Sequence, residues 1–379
     1  MEIKIGKENF LKRLTLAEKI TGKNLNLPIL NFFLISVQKG KIKISATNLD
    51  VGFEITVPAK TEKEGIIAVP AKVLTNAIFN LKEDIINLKQ ENSNLKIITE
   101  NSLILVKTGN VDDFPILPKI KKEAGFKIGA SLFLEGLKSV FFSVSLSYFK
   151  PEIASVYFLI NKNNMIFTAT DSFRLAEKKF FHDNKNGITN SEEFSFLIPI
   201  KSAAELIRVL EEVEKEENEI EVNFNKNEFA VSNDVFVFYS RLTEGIYPDY
   251  KQFVPTKFLG EIIVDADEIL NVLKASSVFL SRLSDIILEI NPKEQTLVFK
   301  TANSDIGEYS SKIKISKSGF NDITTDIIKL TFNLKYLFEG ISKINSEQII
   351  FKISEDGKPI IIQGENDKNF IYLVMPMKL

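Results

Sequence analysis

Apolar and polar residues alternate in short runs along most of the chain, and three of these runs end alike. Lys41-Ile42-Lys43-Ile44, Asn164-Met165-Ile166-Phe167 and Thr296-Leu297-Val298-Phe299 each carry the two-residue period of a half-buried strand. Each passes into a polar turn: Ala46-Thr47-Asn48-Leu49-Asp50, Thr168-Ala169-Thr170-Asp171-Ser172-Phe173-Arg174-Leu175, and Thr301-Ala302-Asn303-Ser304-Asp305. The alanines stand at 46, 169 and 302, a spacing far beyond the roughly 20–50 residues of a solenoid repeat. The spacing predicts three tandem copies of a whole domain, each about 126 residues.

Helical periodicity recurs at two places in each third. Early helices are predicted from Phe10, Leu11, Leu14 and Ala17, with Lys7, Lys12, Arg13 and Lys19 opposite; from Phe133, Leu137, Val140, Phe141 and Val144; and from Ile269, Val272, Leu273 and Ser276. Later helices open at Val69-Pro70-Ala71-Lys72 with Leu74, Ala77, Ile78 and Leu81 inward, and at Ile198-Pro199-Ile200-Lys201 with Ala203, Leu206, Ile207 and Leu210 inward. The third opens at Thr331-Phe332-Asn333 with Leu334, Leu337, Phe338 and Ile341 inward, Asn333 serving as N-cap. Ser202-Ala203-Ala204-Glu205 has the form of a capping box.

Between the helices lie short strands bounded by Gly, Asn, Asp and Lys, among them Ile85–Leu88, Leu95–Thr99, Leu103–Lys107, Ile220–Phe224, Phe229–Ser232, Ile286–Ile290, Ile349–Ile353 and Pro359–Gln363. The expected class is α+β, with two helices on one face of antiparallel sheet in each copy. The first two copies close on proline-bearing segments, Asp113-Phe114-Pro115-Ile116-Leu117-Pro118 and Tyr247-Pro248-Asp249-Tyr250, the second running on through Lys251-Gln252-Phe253-Val254-Pro255; the chain ends Met375-Pro376-Met377-Lys378-Leu379. Domains are expected at 1–125, 126–256 and 257–379.

The 48 Lys and Arg against 50 Asp and Glu leave a net charge of −2, no reason in itself to expect tight nucleic-acid binding. Cysteine is absent, so neither disulfide nor thiolate metal site can hold the fold. The N-terminus alternates like a strand rather than a signal peptide, and no apolar run nears the roughly 18 residues that span a bilayer. A soluble cytoplasmic protein is expected.

Catalytic signals are few. The one histidine, His182, sits beside Asp183-Asn184-Lys185-Asn186-Gly187, a surface turn. No phosphate-cradling glycine motif occurs. Asp50, Asp171 and Asp305 recur in separate copies, as turn residues do. Asp265 and Asp267 precede a helix, where capping is expected before metal binding. Glu211–Glu221 reads as a solvated acidic loop. The chain is expected to bind or scaffold rather than catalyse, with no cofactor and no metal.

Five stretches, in order and at matching domain positions, carry a resemblance: Leu27-Pro28-Ile29-Leu30, Thr170-Asp171-Ser172-Phe173-Arg174-Leu175, Ile198-Pro199-Ile200-Lys201, Tyr247-Pro248-Asp249-Tyr250, and Met375-Pro376-Met377-Lys378-Leu379. Over its whole length the chain resembles the bacterial DNA polymerase III β subunits, the sliding clamps. The resemblance implies three clamp domains in a crescent protomer that closes into a ring as a head-to-tail homodimer, twelve helices lining the hole and sheet outside. It implies a processivity factor without a chemical step, whose partners are duplex DNA held topologically, the clamp loader, the replicative polymerase, and repair factors bearing short linear motifs.

Enclosure needs only a lumen that tolerates phosphates. Lys12, Arg13, Lys72, Lys138, Lys201, Arg208, Lys274 and Lys335 are the candidate DNA-facing residues, and Glu135, Glu205 and Glu268 dilute their charge; for each basic residue alone a solvated helix face reads equally well. The loop at Lys23-Asn24 resembles a DNA-contact loop, with Asn24 where a basic residue can stand. A peptide pocket is implied between domains two and three. One subsite would use Thr170, Ser172, Phe173, Arg174, Leu175, Ile153, Pro248, Phe253, Leu373 and Met375; the other Lys150, Tyr336, Pro359, Met377, Lys378 and Leu379. Met375 and Met377 suit varied ligands, because a thioether side chain adapts its shape. Simple packing of a C-terminal strand is the alternative for these residues. Lys150 and Gln252 stand where relatives carry arginine, Phe173 is bulkier than some counterparts, and Glu152 adds charge. The dimer seam would pair Ile104 and Val106 with Phe279 and Leu280, pairs that ordinary core packing explains equally well. Two other readings stay open: a tripartite α+β scaffold that never encircles DNA, and an enzyme with an unrecognised carboxylate site.

Overall fold

The computed structural model describes residues 1–22, 26–117, 120, 124–147, 149–181, 193–213, 219–320, 327–355 and 357–378. Among these lie six helices: α1 (Lys7–Ile20), α2 (Ala71–Phe79), α3 (Ala130–Val140), α4 (Ile200–Val213), α5 (Ala266–Ser276) and α6 (Leu334–Ile341). Each follows directly on a strand: Glu2–Gly6, Gly65–Pro70, Ala124–Gly129, Phe194–Pro199, Gly260–Asp265 and Ile328–Asn333. Each leads into a three-stranded meander whose last strands are, in turn, Val51–Pro58, Leu103–Lys107, Arg174–Phe181, Phe236–Arg241, Gly307–Lys314 and Phe370–Val374. The unit strand–helix–three strands therefore occurs six times, twice in each of the three copies read from sequence.

The two units of a copy exchange their first strands. Glu2–Gly6 pairs antiparallel with Ile85–Glu91, and Gly65–Pro70 pairs with Phe32–Gln38. Neither unit completes its sheet alone, so the two must fold together through non-local contacts.

Amphipathic periodicity places the helices. Phe10, Leu14 and Ala17 of α1 are buried as expected, with Leu16 and Ile20 beside them, and each buried Leu or Phe contributes about 1.5–3 kcal/mol. Ile269, Val272, Leu273 and Ser276 of α5, and Leu334, Leu337 and Ile341 of α6, are buried as well. Two helices lie tight against aromatic rings at glycine: a Cβ on Gly136 would stand 2.2 Å from the Phe167 ring, and one on Gly340 2.1 Å from the Tyr372 ring. Asp265 and Asn333 are N-caps, their side chains accepting from the N–H groups of Glu268 and Tyr336.

Three expectations need correction. Ser202 is not an N-cap: α4 begins at Ile200, and Ser202 is buried in its first turn, accepting a 2.7 Å hydrogen bond from the Ser240 hydroxyl. Glu211–Glu221 is not simply a loop, because α4 runs through Val213 and a strand starts at Glu219. Arg13 does not lie on an open polar face; it is only 5% exposed.

By internal contacts the chain divides into two compact units. The first is built on Met1–Leu134 and Lys201–Leu242; the second on Thr243–Leu379 and the greater part of residues 135–200. The first holds an eight-stranded sheet in which Phe236–Arg241 pairs antiparallel with Val51–Pro58, welding the second copy to the first. The second holds a nine-stranded sheet in which Arg174–Phe181 pairs in the same manner with Phe370–Val374. Both joints link the last strands of two meanders. The two remaining last strands, Leu103–Lys107 and Gly307–Lys314, are edges of smaller sheets, paired on one side only among the described residues.

Candidate functional site

The Thr170–Arg174 turn is built by its own side chains. The Thr170 hydroxyl donates to the Arg174 carbonyl at 2.6 Å and accepts from the Ser172 N–H at 3.1 Å. The Asp171 carboxylate accepts from the N–H groups of Phe173 and Arg174, both at 3.0 Å. Ser172 adopts φ +79°, in the left-handed region where short polar residues are tolerated. The turn leaves Phe173 61% exposed at its tip, an apolar ring facing water.

Arg174 points the other way and is buried. Its guanidinium pairs with Asp171 at 2.9 Å and with Glu339 of α6, donates to the Phe142 carbonyl at 2.7 Å, and lies 4.2 Å from the Tyr336 ring centre. Burial disfavours this charge, but the hydrogen bond to Glu339 and the surrounding negative groups more than offset it, so its pKa stands above the ordinary value.

The C-terminal tail is fastened to this turn. Arg174 and Leu175 face Val374 and Leu373 across the joint, the Met375 N–H donates to the Phe173 carbonyl at 2.9 Å, and the Met377 N–H donates to the Thr331 carbonyl at 2.7 Å. Met375 and Met377 are half-buried and Lys378 is exposed. The Lys378 side chain reaches Gly357, beside the half-buried Pro359. Leu379, His182, Lys23 and Asn24 lie outside the described residues.

Beneath the turn, Ile153, Leu175 and Leu373 form one buried cluster with Leu197, Tyr247, Tyr250 and Ile361. Tyr157 and Tyr247 stack at 4.7 Å and 6°. The Tyr250 hydroxyl donates to the buried carboxylate of Glu177, which Lys179 also contacts at 2.7 Å. Burial raises the pKa of Tyr247, Tyr250 and Tyr372 well above the ordinary phenol value. Pro248 is exposed and Phe253 is 63% exposed. Lys150 is exposed, and its carbonyl accepts from the Ile153 and Ala154 N–H groups. Ile246 and Phe149, 91% and 98% exposed, add apolar surface on the segments carrying Pro248 and Lys150.

The sequence missed Glu177, whose single signal was an acid inside a strand, and the tyrosines as a floor. An apolar floor, an exposed aromatic rim and a tail with two thioethers can receive an extended peptide carrying apolar anchors. Among the described residues no group of three or more His, Asp or Glu could hold a metal.

The candidate DNA-facing residues are spread over all six helices. Lys72, Lys138, Lys201, Arg208, Lys274 and Lys335 are exposed. Arg208 pairs with Glu205 at 2.6 Å, Lys335 with Glu339 at 3.8 Å, and the half-buried Lys12 with Glu212 at 3.9 Å. On the edge strand Leu103–Lys107, Val106 is only 4% exposed and Ile104 half-buried, so the Val106 side chain packs inward; Leu103 and Leu105 face outward, 62% and 57% exposed. Phe279 and Leu280 are half-buried, and Phe279 stacks on Tyr309 at 6.0 Å.

Three family models match in order along the chain: the N-terminal domain of the DNA polymerase III beta subunit over residues 1–118, its central domain over 127–249 and its C-terminal domain over 251–378. The chain is 23% identical to a Beta sliding clamp from Staphylococcus aureus over 389 aligned positions, covering 100% of this chain and 99% of that one. Among solved structures it resembles the DNA polymerase III beta subunit of Thermotoga maritima, with TM-score 0.89 and 26% identity over 100% of this chain and 99% of that one. It also resembles the subunit from Pseudomonas aeruginosa, with TM-score 0.91 and 21% identity over 100% of both chains.

Proposed function

The chain belongs to the DNA polymerase III beta subunit family, and from that premise we propose that it is a DNA sliding clamp: a ring that encircles duplex DNA and tethers the replicative polymerase for processive synthesis. The sheet joints carry this reading. Two joints between last strands are made within the chain, Val51–Pro58 with Phe236–Arg241 and Arg174–Phe181 with Phe370–Val374. Of the six last strands only Leu103–Lys107 and Gly307–Lys314 are left as edges among the described residues. A head-to-tail homodimer that pairs these edges makes the same joint twice more and closes a ring. Leu103 and Leu105, with the 62% exposed Val278 and the 60% exposed Leu283 near Phe279 and Leu280, supply apolar cover for the seam.

In that ring twelve helices line the channel, carrying Lys72, Lys138, Lys201, Arg208, Lys274 and Lys335 toward phosphates without base contacts, so the grip is topological and permits sliding. Lys12, Arg208 and Lys335 already face carboxylates, which keeps adhesion weak. The cleft at the Thr170–Arg174 turn and the C-terminal tail receives short linear motifs of the clamp loader, the polymerase and repair factors. The protein performs no chemical step and works in the cytoplasm on the chromosome.

Mass in solution tests the assembly. Light scattering returns twice the chain mass of 42.9 kDa, and Leu105→Lys halves it while leaving circular dichroism unchanged. A wild-type mass of one chain contradicts the ring.

A further inference from the structure

The first compact unit contains a second copy of the turn that builds the candidate peptide cleft. The Thr47 hydroxyl donates to the Val51 carbonyl at 2.8 Å and accepts from the Leu49 N–H at 3.0 Å, as Thr170 does for Arg174 and Ser172. The Asn48 side-chain oxygen accepts from the N–H groups of Asp50 and Val51, as Asp171 does for Phe173 and Arg174. Leu49 and Ser172 share a positive φ, +78° and +79°. In each case the following strand pairs with the last strand of another copy, Gly52 opposite Tyr239 and Leu175 opposite Leu373. In each case an aromatic–proline segment lies in the same unit, Phe114-Pro115 or Tyr247-Pro248.

Beside the first turn opens a cavity of about 500 Å³, within the size range of ligand pockets. Leu49, Val51, Pro115, Leu117, Ile120 and Tyr239 give it apolar walls, and the carboxylates of Asp50 and Glu228 and the guanidinium of Arg241 are its charges. No ion pair engages Asp50 or Glu228 among the described residues. The two clefts differ where specificity would lie: Asp50 stands at the position of Phe173, and Val51 at that of Arg174.

We infer that this cavity is a second docking site for an extended peptide of a partner protein, one that presents an apolar anchor flanked by basic residues. The inference rests on reading the first cleft as a peptide pocket, since the shared turn is what links them. The anchor fills the space between Leu49 and Tyr239, and the basic side chains meet Asp50 and Glu228, an interaction the other cleft does not offer at Phe173.

The probe is a capped heptapeptide in which two lysines precede Leu-Phe, added to the full chain with methyl-labelled Ile, Leu and Val. Saturable shifts at Leu49, Val51, Leu117 and Ile120, weakened at least fivefold by the exposed-site change Asp50→Lys and by exchanging the two lysines for glutamates, support the site. Shifts confined to Leu175 and Leu373, or no saturable shift at all, overturn it. An uncharged Leu-Phe peptide titrated in parallel reports on the first cleft: its failure to shift Leu175 and Leu373 counts against that cleft alone, while the first-turn methyls judge the second.

Discussion

Removing the Arg174 side chain should destabilise the second compact unit. Arg174→Ala leaves the carboxylates of Asp171 and Glu339, 14% and 29% exposed, facing each other's charge without the cation between them. It also strips the Phe142 carbonyl of its donor and empties the face of Tyr336. Losing one partner of a fully buried pair costs about 3–5 kcal/mol. Water reaches both acids, and that solvation lowers their share to about 1–2 kcal/mol. An orphaned carbonyl adds about 1 kcal/mol, and the lost contact with the Tyr336 ring about 0.5–1 kcal/mol. The expected destabilisation is about 3 kcal/mol, read as a lowered midpoint in urea by circular dichroism with unchanged slope. Arg174→Lys should recover less than half, since an ammonium cannot reach three acceptors in one plane. In a double-mutant cycle, Glu339→Gln should couple to Arg174→Ala by about 1 kcal/mol. A loss under about 0.5 kcal/mol for Arg174→Ala would mean that Arg174 does not hold Asp171 and Glu339 together.

Replacing Met375 and Met377 together by Ala should weaken binding of an apolar motif peptide at least tenfold, by about 1.4 kcal/mol or more, in a calorimetric titration while leaving the mass in solution unchanged; unaltered affinity would reject the tail as part of the cleft. Alkaline pH should destabilise the second unit. Tyr247, Tyr250 and Tyr372 keep their protons in the folded state above the pH at which an unfolded phenol ionises. Their stabilisation is intact below about pH 10 and then falls by up to about 1.4 kcal/mol per pH unit for each. Tyrosinate absorbance should show these three ionising only on unfolding, whereas free titration near pH 10 would contradict their burial.

The sequence disclosed the period because each of these turns must satisfy its own backbone with a short polar side chain: Asn48 and Asp171 accept from the N–H groups two and three residues on, and Asn303 accepts from the Asp305 N–H. Thr47-Asn48 and Thr170-Asp171 are therefore recognisable before any fold is known. The sixfold unit was hidden because the turns of the second meander in each copy, such as Thr99–Ser102, use other residues for the same bend. Helix faces were legible from period alone, as Phe10, Leu14 and Ala17 show, but a long side chain can leave its predicted face, and Arg13 does. Strand alternation told which residues of Leu103–Lys107 share a side without telling which side is inward; that depends on the neighbouring strand Asn94–Ile98, which fixes Val106 over the core. Glu177 and its hydrogen bond from Tyr250 could not be read at all, because the partners are distant in sequence and meet only when the third strand of one meander crosses the loop that ends the copy.

Enclosure rather than adhesion should keep this protein on DNA, and retention on a circular duplex tests it. The chain is loaded by the clamp-loading complex onto a nicked circular duplex, the mixture is passed through a sizing column at high salt, and the circle is then cut once. Protein should stay with the intact circle, because salt does not open a closed ring, and should be lost when the circle is linearised. Equal retention on circle and linear duplex, or release from the circle by salt alone, would contradict it.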